Sequence, residues 1–293
     1  ENVRVEPFSI DGWERGVEKG AIVQPFPQPL ALTALGGSVA TKPNGLTAEV
    51  SVFDSLASLK RAPAGSLNGK IAYVGHAMRA TQDGSHYGHF GALRRTGASI
   101  AASKGAVGLL IRSIGTDSHR MPHTGSMRYD TEHPKIPAAA VSNPDADQIE
   151  RIAKRQRPIV VTMTLTPTFT GKVPSGNVIG EITGSEFPEQ IVVIGGHLDA
   201  WDLATGAIDD GAGVAITLEA ARLIKASGVR PKRTIRVIFW GAEEVGLLGG
   251  YDYVRRHKGT LKNHVAATES DFGAGKIWQI TSRVGQQALP VVD

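Results

Sequence analysis

The residues best suited to chemistry in this 293-residue chain lie in GGHLDAWDLATGAIDDGAG, residues 195–213, where one His and four Asp stand among small residues. His197 and Asp199 are two apart, so on an extended segment their side chains point to the same side. Asp199 could accept the second N–H of a metal-binding His197, and a carboxylate of Asp209 or Asp210 could bridge two metal ions. Imidazole and carboxylate are ligands of zinc and related ions, so the segment predicts a metal site.

Two further segments carry acids of the same kind. In WGAEEVG the adjacent side chains of Glu243 and Glu244 diverge, so one can bind metal while the other accepts a proton from water. This division of work is typical of metal-assisted hydrolysis. In ESD, Asp271 is a further candidate ligand, and Glu269 could share its side of the strand.

Each feature has a structural interpretation when it is taken alone. An Asp pair before a helix is most often an N-cap with its neighbour, and a Glu pair is most often solvated. Taken together, the features are not explained as caps and solvated acids, because three apolar strands in succession end in ionisable residues. Burial of so much negative charge without a cation would be very costly, so the pattern favours a metal site.

The elements that must position these residues alternate along the chain. We predict buried strands at 190–197, 233–244 and 264–271, separated by helices at 211–228 and 246–258. The apolar face of the first helix is predicted to comprise Val214, Leu218, Ala221 and Ile224. In an open α/β sheet, ligands bind outside the carboxyl ends of the strands, which is where the acids would cluster.

The preceding part of the chain predicts a separate, small α/β unit. Residues 1–60 have the alternation and breakers of strands and turns, as in VRVEPFSI and LTAEVSVF. Strands and helices then alternate: strands at 68–75, 107–113 and 138–142, helices at 91–106 and 144–155. A strand at 159–170 is predicted to lead out of the unit.

A long polar loop in this unit, residues 121–137, contains His123. Loops of this kind often carry function, and His123 is a candidate substrate contact. The alternative is a loop histidine that makes local hydrogen bonds. The other histidines of the region are too scattered to be proposed as ligands: His76, His86, His89, His119 and His133.

Composition limits the classes of function. The net charge of +4, from 32 basic against 28 acidic residues, is too small to favour nucleic acid as a partner. No apolar run approaches the roughly 20 residues of a membrane span. The absence of cysteine excludes disulfides and thiolate chemistry. The chain begins at Glu1 without a signal peptide, and we expect a processed N-terminus.

The motifs GGHLDAWD…GAIDDGAG, RPKRTIRVIFWGAEEVGLLGG and ESDFG resemble those of the zinc-dependent exopeptidases of the di-zinc aminopeptidase and glutamate carboxypeptidase type. The resemblance extends over nearly the whole chain, including ENVRVEP, PHTG and PKIPAA. It implies an α/β fold with a mixed sheet flanked by helices and an inserted protease-associated α/β domain. The implied divisions are residues 1–16 for the N-terminal edge of the catalytic domain, 17–170 for the inserted domain and 171–293 for the catalytic core.

The resemblance also implies a role for each candidate residue. Two zinc ions would be held by His197, Asp209, Glu244 and Asp271. Asp209 would bridge the two ions, Glu243 would be the general base, and Asp199 would orient His197. The peptide bond between Asp209 and Asp210 would be cis. The implied activity is hydrolysis of short peptides, dipeptides among them, and aminopeptidase and carboxypeptidase action stay open.

One feature departs from the family pattern. The family's second zinc takes a further His well beyond the ESD strand, and no His follows Asp271 in this chain. We therefore expect a catalytic domain that is incomplete at its C-terminus. Two alternatives stay open: a non-catalytic binding or receptor module, and an acyl-transfer or cyclase relative with a single zinc. The resemblance further implies a secreted or periplasmic protein and a homodimer.

Overall fold

A computed structural model describes residues 1–271, 273–288 and 290 of the chain. Phe272 of the ESDFG motif and residues 291–293 of the predicted catalytic core lie outside the described residues. The described strands are β1 (Arg4–Glu14), β2 (Glu18–Gln24), β3 (Gln28–Leu30), β4 (Leu32–Ala34), β5 (Leu46–Phe53), β6 (Ile71–Val74), β7 (Gly108–Arg112), β8 (Ala138–Val141), β9 (Val160–Leu165), β10 (Thr168–Ile182), β11 (Phe187–His197), β12 (Arg233–Trp240) and β13 (His264–Glu269). The described α-helices are α1 (Leu56–Arg61), α2 (Ser85–Ala102), α3 (Asn143–Lys154), α4 (Gly211–Ala226) and α5 (Leu248–Arg256), with short 3₁₀ turns at Leu261–Asn263 and Gln286–Ala288.

One sheet holds the strands that carry the predicted metal ligands. Its five strands lie in the order β1–β10–β12–β11–β13. Strand β10 is antiparallel to both β1 and β12, whereas β12, β11 and β13 are parallel to one another. Helices α4 and α5 contact this sheet. The predicted mixed sheet flanked by helices is therefore confirmed.

The register of the three parallel strands brings their carboxyl ends to one edge. His197, the last residue of β11, lies opposite Trp240, the last residue of β12. Gly195 of β11 lies opposite Glu269, the last residue of β13. The segments that follow the three strands therefore begin side by side, at the edge where open α/β sheets bind ligands.

The strands between residues 18 and 165 form a second sheet of eight strands, in the order β3–β2–β9–β5–β6–β7–β8–β4. Strands β5 to β8 are parallel, and β6 and β8 are buried along their whole length. Alternate residues of β7 enter two different apolar clusters: Leu110 lies in one, and Leu109 and Ile111 lie in the other. Both faces of this sheet are thus covered, and the predicted α/β unit is confirmed by β6, α2, β7, β8 and α3.

The single strand predicted over residues 159–170 is wrong. Strand β9 ends at Leu165 and pairs with β2, whereas β10 starts at Thr168 and pairs with β1 in the other sheet. Pro167 stands between them and lacks the N–H that a continuous ladder would need. The chain crosses from one sheet to the other at this point.

The predicted apolar face of α4 is also wrong at one position, because Leu218 is 56% exposed. The buried residues of α4 are Gly213, Thr217 and Ala221, which stand four apart and share one face. Thr217 donates its hydroxyl to the Gly195 carbonyl at 2.9 Å. The helix packs its small residues against the sheet because a close approach to the Gly195 backbone leaves no room for leucine.

Strand β13 departs from the prediction of a third buried strand. Its first residue is half-buried and the other five are exposed, including Val265 at 50%. The strand pairs with β11 on one side, which gives it its conformation, but little of the described chain covers its side chains. Among the described residues, no helix is long and apolar enough to span a membrane.

Candidate metal centre

Three predicted ligands converge at the edge formed by the parallel strands. The Nε2 atom of His197 lies 3.1 Å from an Asp209 carboxylate oxygen and 3.3 Å from an Asp271 carboxylate oxygen. The ligand atoms of these three residues all lie within 4.8 Å of one another. His197 comes from the end of β11, Asp271 follows β13, and Asp209 precedes α4. Three separate elements thus deliver one nitrogen and two carboxylates to one point.

His197 is 1% exposed, and its orientation is set by the residue two positions later. The Nδ1 atom bonds the backbone carbonyl of Asp199 at 2.8 Å, which leaves Nε2 facing the acids. The Asp199 carboxylate lies 3.9 Å from Nδ1, outside hydrogen-bonding distance. The predicted carboxylate–imidazole bond is therefore replaced by a carbonyl–imidazole bond, because the chain leaves the extended conformation after His197.

The Asp199 carboxylate has another role, which was not predicted. Its two oxygens accept the backbone N–H groups of Glu243 at 2.9 Å and of Glu244 at 3.1 Å. This pair of bonds ties the turn after β12 to the turn after β11. The Asp199 carboxylate therefore positions the backbone of both glutamates, whereas the Asp199 carbonyl bonds the ring of His197.

The two adjacent acids before α4 make different contacts. Asp210 is the N-cap of α4: its carboxylate accepts the N–H of Gly213 at 3.1 Å and that of His197 at 2.9 Å. The structural interpretation of the Asp pair thus holds for Asp210, whereas Asp209 faces His197. The peptide bond between the two is cis, as the family resemblance implied.

The electrostatics of the cluster fit a cation. Burial raises the pKa of Glu243, the charge of His197 opposes this, and negative charge on Asp271 and Asp199 reinforces it, so that the pKa lies at about 7. Burial and the charges of Asp209 and Glu243 likewise raise the pKa of Glu244 to about 7. Carboxylates with raised pKa values in one place are crowded and incompletely solvated. A divalent ion would relieve this, since it neutralises two of the charges at once.

The pKa of His197 is also shifted by the surrounding negative charge. Burial lowers its pKa, but the bonds to Asp271 and to the Asp199 carbonyl outweigh this and raise the pKa to about 10. Burial and the charge of Asp271 also raise the pKa of Asp209. The donor set of one imidazole and several carboxylates is the kind that zinc accepts, so the residues fit the predicted metal.

The loop between β11 and α4 is held against the eight-stranded sheet by contacts that sequence reasoning missed. Arg15 is 8% exposed at its side chain and makes two bonds to the carboxylate of Asp202, at 2.7 and 3.0 Å. Trp201 lies so close to Gly36 that a Cβ there would meet its ring at 2.8 Å. The only sequence signal was an Asp and a Trp within the metal-binding segment.

His123 lies outside the group of converging ligands. Its Nε2 atom is 2.7 Å from the Tyr87 hydroxyl and 3.2 Å from a nitrogen of Arg94. Burial and the positive charge of Arg94 lower the pKa of His123 to about 4. Its role as a substrate contact stays a prediction, and the local hydrogen bonds of the alternative interpretation are present.

Three of the other histidines, which were not proposed as ligands because they are scattered along the chain, lie near one another in the fold. The rings of His76, His86 and His89 have centroid separations between 5.6 and 6.5 Å. Folding brings the end of β6 beside the first turn of α2, which spacing along the chain did not reveal. Over the described residues, however, the one group of converging metal-ligand atoms is that of His197.

Comparison with known proteins places the clustered acids within a region that matches a known family. Residues 177–287 match the model of peptidase family M28. Carboxypeptidase Q of Bos taurus is 41% identical over 273 residues, which are 93% of this chain and 56% of the bovine protein. The human carboxypeptidase Q is 40% identical with the same coverage. The chain thus spans little more than half the length of these curated relatives.

Solved structures show the same relationship. The crystal structure of a peptidase M28 precursor from Shewanella amazonensis SB2B is 51% identical and superposes with a TM-score of 0.97, over all of this chain and 66% of that one. BSAP, a zinc aminopeptidase from Bacillus subtilis, is 26% identical with a TM-score of 0.62, over 92% of this chain and 59% of that one. The residues that match peptidase family M28, 177–287, include β11, β12, β13 and all the clustered acids.

Proposed function

We propose that the protein is a zinc-dependent metallo-exopeptidase that hydrolyses short peptides or dipeptides. The observation that carries the proposal is the convergence of His197, Asp209 and Asp271 within 4.8 Å, beside two further acids. The relatives support it, since they bear the names carboxypeptidase Q and zinc aminopeptidase. The choice between carboxypeptidase and aminopeptidase action depends on which groups meet the ends of the substrate.

Zinc would be held by the residues that the family resemblance implies. His197 and Asp271 would hold one ion, Glu244 would hold a second, and Asp209 would bridge the two. The geometry around Nε2 of His197 and the excess of carboxylate charge support this assignment. The backbone carbonyl of Asp199 supports it too, because a bond at Nδ1 leaves Nε2 as the ligating atom.

In the proposed mechanism, zinc held by these residues would supply Lewis acidity towards the scissile carbonyl and would lower the pKa of the attacking water. Glu243 takes the proton from that water and delivers it to the leaving amine. The Asp199 carboxylate keeps Glu243 in place through its backbone N–H. The cap of Asp210 on α4 fixes the segment that carries Asp209.

We further propose that residues 17–170 form an inserted protease-associated domain that shapes the substrate cleft. The separate eight-stranded sheet with its own two apolar clusters supports this, as does the close approach of Gly36 to Trp201 in the loop after β11. We also propose that more chain than is described here completes the catalytic domain over β13. The exposure of β13 and of Ile216 and Leu223 on α4 supports that proposal.

The secreted or periplasmic location and the homodimer are proposals that rest on the family resemblance. They are tested by the location of the native protein after cell fractionation and by its mass in solution. A cytosolic location or a monomer at working concentration would contradict the respective proposal.

The proposed function is tested by zinc content and by hydrolysis of dipeptides, in the full-length protein and its Glu243→Gln variant. We expect zinc in both and a rate reduced roughly 10²- to 10⁴-fold in the variant, which is the range for removal of a general base. Glu219→Gln is the matched control, because Glu219 is an exposed acid on α4 that pairs with Arg222. Absence of zinc from the wild type, or an unchanged rate in Glu243→Gln, would contradict the proposal.

A further inference from the structure

The loop that carries Glu243 and Glu244 is held at both ends by one buried side chain from a neighbouring strand. Asn177 lies on β10 and is fully buried. Its Oδ1 atom accepts the N–H of Gly241 at 3.1 Å, at the start of the loop. Its Nδ2 atom donates to the carbonyl of Gly249 at 2.9 Å, in the first turn of α5. A single amide therefore spans the loop from one end to the other.

The packing around Asn177 is close enough to require glycine on both sides. A Cβ on Gly241 would meet the Gly176 carbonyl oxygen at 2.5 Å. A Cβ on Gly249 would collide with Oδ1 of Asn177 itself. Both glycines let the loop backbone approach the amide, which is a use that only a residue without a side chain can serve.

The backbone of the loop takes a conformation that needs external support. Ala242, between Gly241 and Glu243, has a φ of +57°, in the left-handed region that a residue with a Cβ adopts infrequently. Such residues persist where their surroundings hold them in place. The Asn177 bond to Gly241 lies directly before Ala242, and the Asp199 bonds to Glu243 and Glu244 lie directly after it.

Internal bonds close the loop but do not attach it to the sheet. The N–H groups of Gly246 and Leu247 donate to the Glu243 carbonyl at 2.8 and 2.7 Å, and that of Leu248 donates to the Ala242 carbonyl at 2.9 Å. These bonds connect the loop to itself. Its position relative to His197 therefore depends on the side chains that reach it from β10 and from the turn after β11.

We propose that Asn177 is a positioning residue for peptide hydrolysis, which holds Glu243 and Glu244 at their places beside the metal site. The inference rests on the proposed function of these two glutamates. Asn177 acts through the backbone of the loop, together with Asp199, and contacts neither substrate nor metal. Its removal would leave the Gly241 N–H and the Gly249 carbonyl unpaired in a buried place, and the loop would shift to relieve them.

The size of the effect follows from the kind of support that is lost. Loss of an outer-shell partner typically weakens metal binding or activity 10- to 100-fold. A displacement of about 1 Å at a catalytic group can cost about 100-fold in rate. We therefore expect Asn177→Ala to lower kcat roughly 10- to 100-fold with little change in KM, because the loss concerns the transition state.

The experiment compares Asn177→Ala with Thr234→Ala in the full-length protein. Thr234 is a matched control: it is 4% exposed, lies on β12 of the same sheet, and its hydroxyl bonds the Gly184 N–H and the Pro188 carbonyl at the opposite end. The measurements are kcat and KM for a dipeptide, zinc affinity by competition with a chelator, and thermal stability. Asn177→Ala should lose kcat and zinc affinity, whereas Thr234→Ala should lose thermal stability alone.

Two results would overturn the inference. One is an equal loss of kcat and zinc affinity in both variants at a temperature where both are folded, which would assign Asn177 a structural role only. If Asn177→Ala does not fold, the isosteric Asn177→Asp keeps the acceptor for Gly241 and removes the donor to Gly249. A folded Asn177→Asp with wild-type kcat and zinc affinity is the other contrary result. An inactive wild type that binds zinc would contradict the proposed function alone, because the zinc readout still tests Asn177.

Discussion

The two sheets of this protein present the same kind of edge to solvent and use it differently. In the five-stranded sheet, the parallel strands β11, β12 and β13 lead into His197, Glu243 and Asp271. In the eight-stranded sheet, parallel β7 ends at Arg112, whose guanidinium meets Asp147 at 2.7 Å and Glu150 at 3.1 Å. Ligands bind at the carboxyl ends of the strands in open α/β sheets, so either edge could hold a ligand-binding site.

The difference lies in whether the charges at the edge are already neutralised. Around Arg112 two acids share one guanidinium, which balances most of their charge without a ligand. Around His197 several acids share one imidazole, and the pKa values of Glu243 and Glu244 rise to about 7, first through burial and then through neighbouring negative charge. A strand edge thus becomes a metal site where carboxylates exceed the cations that the protein itself supplies.

The cores of the two sheets differ in how many apolar side chains they bury. The eight-stranded sheet has two large clusters of buried apolar side chains. The five-stranded sheet has a smaller one, formed by Ile179, Ile191, Val193, Ile238 and Tyr253, and its edge strand β13 is exposed. The sheet that carries the site therefore has less apolar burial to stabilise it, and we expect bound metal to contribute to its stability.

The largest effect is expected when the histidine at the edge of each sheet is replaced. His197→Ala should abolish zinc binding and lower kcat/KM by at least roughly 10³-fold, because a metal site contributes several kcal/mol to transition-state stabilisation. His76→Ala is the matched change, since His76 follows β6 at the corresponding edge of the other sheet. It should leave zinc content and rate within about twofold of wild type. Zinc analysis and dipeptide hydrolysis check both, and an equal loss in the two variants would contradict the contrast.

The next largest effect is expected on the free energy of unfolding when leucines of the two regions are truncated. Leu110→Ala should lower the free energy of unfolding by about 2–5 kcal/mol, because Leu110 is fully buried in the middle of the eight-stranded sheet. Leu218→Ala should change it by no more than about 0.5 kcal/mol, because Leu218 is 56% exposed on α4. Urea unfolding of both variants measures the difference. A large loss in Leu218→Ala would show that further chain covers α4.

The elements of both sheets could be predicted largely from local pattern, and what failed was non-local. Strand β5 follows from alternating apolar residues, β11 follows from an apolar run bounded by glycine, and α3 follows from its Pro and its polar start. The exposure of β13 could not be predicted, because burial depends on what lies across the strand. The face of α4 was misread because apolarity favours Leu218, whereas the close approach to the sheet favours Thr217.

The same limit applies to the metal centre. Residue types and strand ends were sufficient to expect His197, Asp209 and Asp271 together, and their atoms do converge. The direction of the Asp199 carboxylate was not predictable, because it depends on where the turn after β12 lies. Asn177 had only the weak signal of a polar amide within an apolar strand. Support from a neighbouring strand cannot be inferred from spacing along the chain.

One histidine in each region, the buried His197 and the partly buried His123, allows a pH test of the comparison. The pKa of His197 is raised by carboxylates, whereas burial and Arg94 lower that of His123 to about 4. Because the folded-state pKa of His123 is below the unfolded value of about 6.5, its contribution to stability is complete above that pH and is lost as pH falls towards 4. Between pH 7.5 and 4.5 we expect this residue to account for a loss of about 2 kcal/mol.

Urea unfolding at the two pH values, in wild type and in His123→Gln, measures that contribution. The variant should lose about 2 kcal/mol less than wild type on acidification. His119→Gln is the control, because His119 lies in the same segment with 54% of its side chain exposed, and it should behave as wild type. An identical pH dependence in His123→Gln and wild type would show that His123 is not held neutral by its surroundings.

The smallest effect is expected when the N-cap of one helix in each region is removed. Ser142 caps α3 in the eight-stranded region, and Asp210 caps α4 beside the metal site. Ser142→Ala should lower the free energy of unfolding by about 1 kcal/mol and leave zinc affinity unchanged, because the lost bond to the Asp145 N–H serves only its helix. Asp210→Ala should cost a similar amount and also weaken zinc binding about tenfold, because its carboxylate holds the N–H of His197. Equal zinc affinity in the two variants would show that Asp210 is a cap and nothing more.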